Sequence, residues 1–328
     1  MRVAMFSTKP YDSAAFRRAN SEATHEILEL EDRLRLVTVP LAEGAEAVCI
    51  FVNDVADEPV LTALAEVGVR HLALRCAGFN NVDVEAAHRL GINVVRVPAY
   101  SPNAVAEHTI ALILGLNRHI HKAYNRVREA NFALDGLVGF DLAGKTAGVI
   151  GTGRIGALVA RLLWHFRCEV IVCDPVIDPK LVELGMSYVA LDEVWERSHI
   201  ISLNCPLTAE THHLVSHGTI ARMRPGVMLV NTGRGALVDT PAVIEGLKSG
   251  QIGSLALDVY EEEATLFFED RSAEIISDDV FARLLTFPNV LITAHQAFLT
   301  TEALEAIATT TLGNLDDLAA GRPSPNAV

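Results

Sequence analysis

Gly151-Thr152-Gly153-Arg154-Ile155-Gly156 stands between a β-rich run at 147–150 and a helical pattern at 155–166, and that placement constrains the chain more than any other feature. The G-x-G-x-x-G spacing allows a tight turn, close backbone approach to a pyrophosphate and close helix packing, with the first helical amides, at Arg154 and Ile155, turned to the phosphates. Asp174 follows Gly156 by 18 residues, at the end of a second strand pattern at 169–173. A carboxylate there accepts hydrogen bonds from an adenosine ribose and repels a 2′-phosphate, so the two features together predict NAD as cofactor, with NADH preferred to NADPH.

The rest of the chain supplies the architecture such a turn needs. Its 328 residues predict two domains. The first hundred alternate short β-rich runs (3–6, 34–39, 47–51, 69–74 and 93–96) with helical patterns (13–30, 59–66 and 84–90), which implies a parallel sheet with crossover helices. At Ser101-Pro102 the pattern breaks, and a long helix is expected over 103–130. A second alternating series then runs from Lys145 to a strand at 290–292. The last helix, 301–319, has no strand after it and is expected to pack back on the first domain, with 321–328 as a loosely held tail. The expected fold is α/β: two doubly wound parallel-sheet domains, one over 1–100 and 298–328, the other over 101–297.

With 27 Lys and Arg against 41 Asp and Glu, the net charge of −14 argues against nucleic acid and anionic membrane as partners. A small anionic substrate stays compatible, because it needs only one or two placed cations. Five scattered cysteines contain no C-x-x-C pair, and no metal is expected. The polar start and the short apolar run at 110–116 lack the length of a signal peptide or a membrane span, so a cytoplasmic location is expected.

Three residues stand out as candidates for chemistry. His295 directly follows the strand pattern 290–292, Arg234 lies in Asn231-Thr232-Gly233-Arg234-Gly235 after another strand, and Glu263 ends an acidic run after a third. In a doubly wound sheet the ligand binds beyond the carboxyl ends of the strands. A nicotinamide-dependent ketone reductase needs an acid to protonate the developing alkoxide and a cation to hold the substrate's anionic end.

LRCAGFNNVD at 74–83, VRVPAYSPNAVAEHT at 95–109, KTAGVIGTGRIG at 145–156, CPLT at 205–208, MLVNTGRGALVD at 228–239, LDVYEEE at 257–263, LFFED at 266–270 and NVLITAHQAFLT at 289–300 resemble the D-2-hydroxyacid dehydrogenase family across nearly the whole chain. The resemblance is nearest to fermentative, NAD-dependent members that interconvert pyruvate and D-lactate. It implies a Rossmann-type NAD domain inserted into a discontinuous, flavodoxin-like substrate domain. It also implies that Arg234 clamps substrate, that His295 is the acid/base and that Glu263 hydrogen-bonds His295. Backbone amides near Ala77 and Gly78 are implied to meet the substrate carboxylate, Tyr100 to help enclose it, and Phe51 and Phe298 to wall a small pocket. Cys205-Pro206 and Thr232-Gly233 are implied to lie along the cofactor, and Asp258 near the nicotinamide carboxamide. Gly233 departs from the Ser or Ala common in the family, which puts the placement of Arg234 in question. A homodimer or homotetramer is implied, with the helix after Ser101 as a suitable face. The alternatives are reduction of glyoxylate, hydroxypyruvate or phenylpyruvate on the same scaffold, or a non-catalytic NAD sensor.

Overall fold

The computed structural model describes residues 1–328, apart from the side chain of Thr265. The chain divides into two compact units, Met1–Ser101 together with Phe298–Val328, and Pro102–Ala297.

The first unit holds a parallel sheet of β1 (Arg2–Met5), β2 (Glu26–Glu29), β3 (Ala47–Ile50), β4 (His71–Leu74) and β5 (Asn93–Val95), in the order β2-β1-β3-β4-β5. That order is flavodoxin-like. β3 is buried at every residue, as a central strand covered on both faces must be. Asp57 and Asp83 start the crossover helices Glu58–Glu66 and Val84–Arg89 by accepting from the amides of Val60 and Ala86. Helix Thr301–Ala319 places Ala308, Leu312 and Leu315 in one core with Val3, Phe16 and Cys49, so the last helix covers the first sheet.

Three expectations fail in this unit. In place of a helix over 13–30, a helix ends at Ala19 and β2 follows, because pairing with β1 overrides the helical pattern of the polar run. The run expected to be extended at 34–39 is a 3₁₀ turn, Leu36–Ala42, with Thr38 bonded back to the carbonyls of Arg33 and Arg35. The tail is held. Ala327 pairs antiparallel with Val95, the Asn326 carbonyl accepts from the Arg96 amide, and Asn314 bonds the side chains of Ser324 and Asn326.

The second unit holds seven parallel strands: β6 (Thr146–Ile150), β7 (Glu169–Cys173), β8 (Ser187–Tyr188), β9 (Ile200–Leu203), β10 (Val227–Asn231), β11 (Ile252–Leu257) and β12 (Val290–Ile292). Their order, β12-β11-β10-β9-β6-β7-β8, is the Rossmann order with one strand added. The order reverses between β6 and β9, which pair directly. The helix expected over 103–130 is two helices, Pro102–Asn117 and Ile120–Arg128, because His119 between them takes a left-handed φ of 51°. The first of the two packs Ala106, Ile110, Leu112, Ile113 and Leu116 with Val159, Ala160 and Leu163 in the unit's own core. Among the described residues no helix is long and apolar enough to cross a membrane.

Candidate active site

The glycine turn joins β6 to helix Arg154–His165. Gly151 has φ 90°, and a Cβ there would lie 2.5 Å from the Cys205 amide nitrogen. A Cβ on Gly156 would lie 1.8 Å from the Gly151 carbonyl oxygen. The loops after β6 and β9 therefore meet backbone to backbone where the strand order reverses. Gly153 and Arg154 are exposed, and no side chain caps the helix at Gly153, so its first-turn amides and positive dipole end are available to an anion. Asp174 Oδ2 accepts from the Thr152 amide at 2.6 Å and Oδ1 from the Val176 amide at 2.8 Å, which fixes the carboxylate beside the glycine turn. An uncapped helix start for a diphosphate and a fixed carboxylate for ribose hydroxyls together fit a dinucleotide. Cys205 is half-buried, and desolvation pushes its thiol up to about 11; Pro206 beside it is exposed.

Arg234 leaves the end of β10 on a turn built by Asn231, which is fully buried. The Asn231 side chain accepts from the Gly233 amide at 3.0 Å and donates to the Arg234 carbonyl at 2.8 Å. These two bonds fix the backbone of the turn that carries Arg234. Arg234 Nη1 donates to the Gly233 carbonyl at 2.8 Å. Thr232 is held by Thr109, the two hydroxyls lying 2.8 Å apart.

His295 Nδ1 lies 2.7 Å from Glu263 Oε1, and the second oxygen of Glu263 accepts from the Tyr260 amide at 2.9 Å. The imidazole is thus paired with a carboxylate that is itself anchored. His295 has a left-handed φ of 52°. Asp258, at the end of β11 and 1% exposed, organises this turn: its carboxylate accepts from Thr293 Oγ1 and from the amides of Gln296 and Ala297. Burial alone would raise the Asp258 carboxyl, but His108, Thr293 and the two amides outweigh it and hold the group below the ordinary aspartate value.

In the first unit, Phe51 follows β3, and the Ala77–Gly78 segment lies just beyond β4. The Phe51 and Phe298 rings are 5.7 Å apart, and Tyr100 meets Phe298 edge-on at 6.2 Å. The Arg75 guanidinium lies 5.0 Å from the centre of the Phe51 ring, and the Ala77 carbonyl accepts from Arg96 at 2.8 Å. The three aromatic residues therefore form one cluster.

Two residues near the catalytic candidates were not singled out by the sequence. His108 Nε2 lies 3.1 Å from Thr293 Oγ1 and 3.3 Å from Asp258 Oδ1; it stands in the A-E-H-T stretch, where no spacing ties it to a partner 150 residues on. The Phe268 ring lies 5.7 Å from that of His295, and L-F-F-E-D alone does not choose between its two phenylalanines.

Residues 110–297 match the family model described as D-isomer specific 2-hydroxyacid dehydrogenase, NAD binding domain. The chain is 53% identical to a 2-hydroxyacid dehydrogenase homolog of Haemophilus influenzae, over 100% of this chain and 99% of that protein. It is 52% identical to a D-lactate dehydrogenase of Escherichia coli, over 99% of each. The apo-structure of D-lactate dehydrogenase from Escherichia coli superposes with a TM-score of 0.92 at 50% identity, covering 100% of both chains. With a glycine turn at the sheet's reversal, a carboxylate–imidazole pair beyond its strand ends and full-length likeness of this degree, the chain belongs to the D-isomer-specific 2-hydroxyacid dehydrogenases and carries their NAD-binding domain.

Proposed function

We propose that the protein catalyses the reversible, NADH-dependent reduction of pyruvate to D-lactate. The observation that carries this is the 2.7 Å pairing of His295 Nδ1 with Glu263 Oε1, in a chain 52% identical to the Escherichia coli D-lactate dehydrogenase. Arg234 holds the keto acid through charge-assisted hydrogen bonds, for which the planar guanidinium is suited. Glu263 occupies Nδ1 of His295 and so leaves Nε2 as the nitrogen that exchanges a proton with substrate. In reduction His295 donates that proton to the carbonyl oxygen, and in oxidation the neutral imidazole takes it from the hydroxyl. The bound nicotinamide supplies or accepts the hydride. The glycine turn with Asp174 is the part assigned to the dinucleotide, with Cys205, Pro206, Thr232, Gly233 and Asp258 along it. The first unit's Phe51, Tyr100 and Phe298, with the amides of Ala77 and Gly78, are assigned to the substrate. The same proposal includes a cytoplasmic homodimer or homotetramer, supported by the exposed apolar side chains of Ile120, Tyr124 and Val127 and measurable by light scattering.

A pyruvate–NADH assay with chiral analysis of the product tests reaction, cofactor and handedness together. D-lactate as the product supports the proposal. L-lactate, no turnover, or greater efficiency with glyoxylate, hydroxypyruvate or phenylpyruvate would sink it.

A further inference from the structure

His212, His213 and Glu261 bring three metal-ligating atoms within 4.8 Å of one another, apart from every residue assigned above to catalysis or cofactor. Nothing in their spacing signals a metal in the sequence, because Glu261 lies far along the chain from the histidine pair. Glu261 Oε1 is 2.8 Å from His213 Nε2 and 3.9 Å from His212 Nε2. The two imidazoles stack with centroids 4.0 Å apart and 25° between their planes.

Neighbouring side chains on extended backbone point to opposite sides. Here they are turned to one side, and His213 has a left-handed φ of 50°, a conformation that few non-glycine residues adopt. That conformation is held from outside: the His213 amide donates to the Ala236 carbonyl at 2.9 Å, and Val215 pairs with Val238. An ion pair with Glu261 needs only one imidazole. The second, 3.9 Å from the same carboxylate oxygen, completes a three-donor set.

We infer that this cluster binds a divalent transition-metal cation, with Zn²⁺ the best match, through Nε2 of His212, Nε2 of His213 and a carboxylate oxygen of Glu261. Tetrahedral Zn²⁺ with ligands at about 2.0–2.2 Å separates its donor atoms by about 3.3 Å. The observed Glu261–imidazole separations of 2.8 and 3.9 Å bracket that value, and the stacked rings would fan apart to aim both nitrogens at one cation. Imidazole and carboxylate are donors that zinc accepts, and the half-exposed His212 leaves the fourth position to water. Glu261 stands two residues before Glu263, and Ala236 two residues after Arg234, so a bound cation would tie together the segments that carry both. Cation binding itself does not depend on the proposed reaction.

The test is calorimetric titration of the untagged, chelator-treated full chain with ZnCl₂, alongside CoCl₂ titration followed by visible absorption. The expected result is one equivalent bound with micromolar affinity and a cobalt spectrum of tetrahedral intensity. His212→Gln and Glu261→Gln, with folding checked by circular dichroism, should each weaken binding at least about tenfold, since even outer partners of a metal ligand cost that much. His295→Asn should bind as the wild type does. Absence of binding in the micromolar range, or equal affinity in the wild type and both cluster variants, overturns the site. Loss of binding only in the His295 variant would place the cation at the carboxylate–imidazole pair and overturn it equally.

Discussion

The carbonyl oxygen of Asp258 accepts a hydrogen bond from the His295 amide at 2.6 Å, while the carboxylate of the same residue accepts from Thr293, Gln296 and Ala297. One buried aspartate therefore shapes the turn from which the acid/base candidate projects. Asp258→Asn places an amide donor against backbone donors and should cost about 1–3 kcal/mol, the usual penalty for an unmade buried bond. The sign of its pH effect follows from its depressed pKa. The wild type gains this stability above the ordinary aspartate value and loses it as pH falls through the lower folded value, whereas the Asn variant lacks the acid-side loss. Thermal midpoints at several pH values check both points, and an unchanged midpoint near neutrality would contradict the anchoring role.

His295→Asn should remove most turnover, on the order of 10²–10⁴-fold, while NADH binding survives. Asparagine is chosen because it tolerates the left-handed backbone at this position. Glu263→Gln should also lose activity, and the double variant should be little worse than His295→Asn alone, because residues acting as a unit are non-additive. Losses that multiply in the double variant would separate the two residues.

Arg234→Lys keeps the charge but loses the planar fork, so pyruvate turnover should fall severely while nucleotide binding persists. The Asn231 bonds to the turn backbone do not involve the guanidinium and should hold the turn in place. Near-normal kcat/KM in this variant would remove Arg234 from the substrate site.

Asp174→Ala should narrow the preference for NADH over NADPH by removing a carboxylate that repels the extra phosphate. Because the Thr152 amide also loses its acceptor, KM for NADH should rise at the same time. Comparing kcat/KM for both cofactors tests this; an unchanged ratio would point to another group as the discriminating one.

Burial pushes the thiol of Cys205 up to about 11, so its thiolate is scarce at neutral pH. Iodoacetamide should label it slowly at pH 7.5 and much faster as the pH approaches that value, measured by peptide mass spectrometry. Rapid labelling at neutral pH would show a thiol in a different environment.

Local signals made much of this molecule legible in the sequence. The glycine turn, Asp174 and the strand ends bearing Arg234 and His295 each sit where a short stretch carries its own signal. What escaped depends on partners distant in sequence. The E-I-L-E stretch of β2 is a strand because β1 pairs with it, and its charged ends hide that. The helix break at His119 has no Gly or Pro to announce it. The bonds of Asp258 to residues 293–297, which organise the turn around His295, come from tertiary contact, and no short stretch announces them.

The left-handed turn at His295 makes any attempt to install different chemistry there a backbone problem before it is a side-chain problem. A β-branched or bulky replacement meets steric resistance from its own main chain, whatever its reactivity. Libraries at position 295 will therefore be sorted by conformation first, with asparagine, aspartate and glycine surviving out of proportion to their usefulness. Productive redesign should start by relaxing the grip of Asp258 and Thr293 on the turn, and only then vary the group that the turn presents.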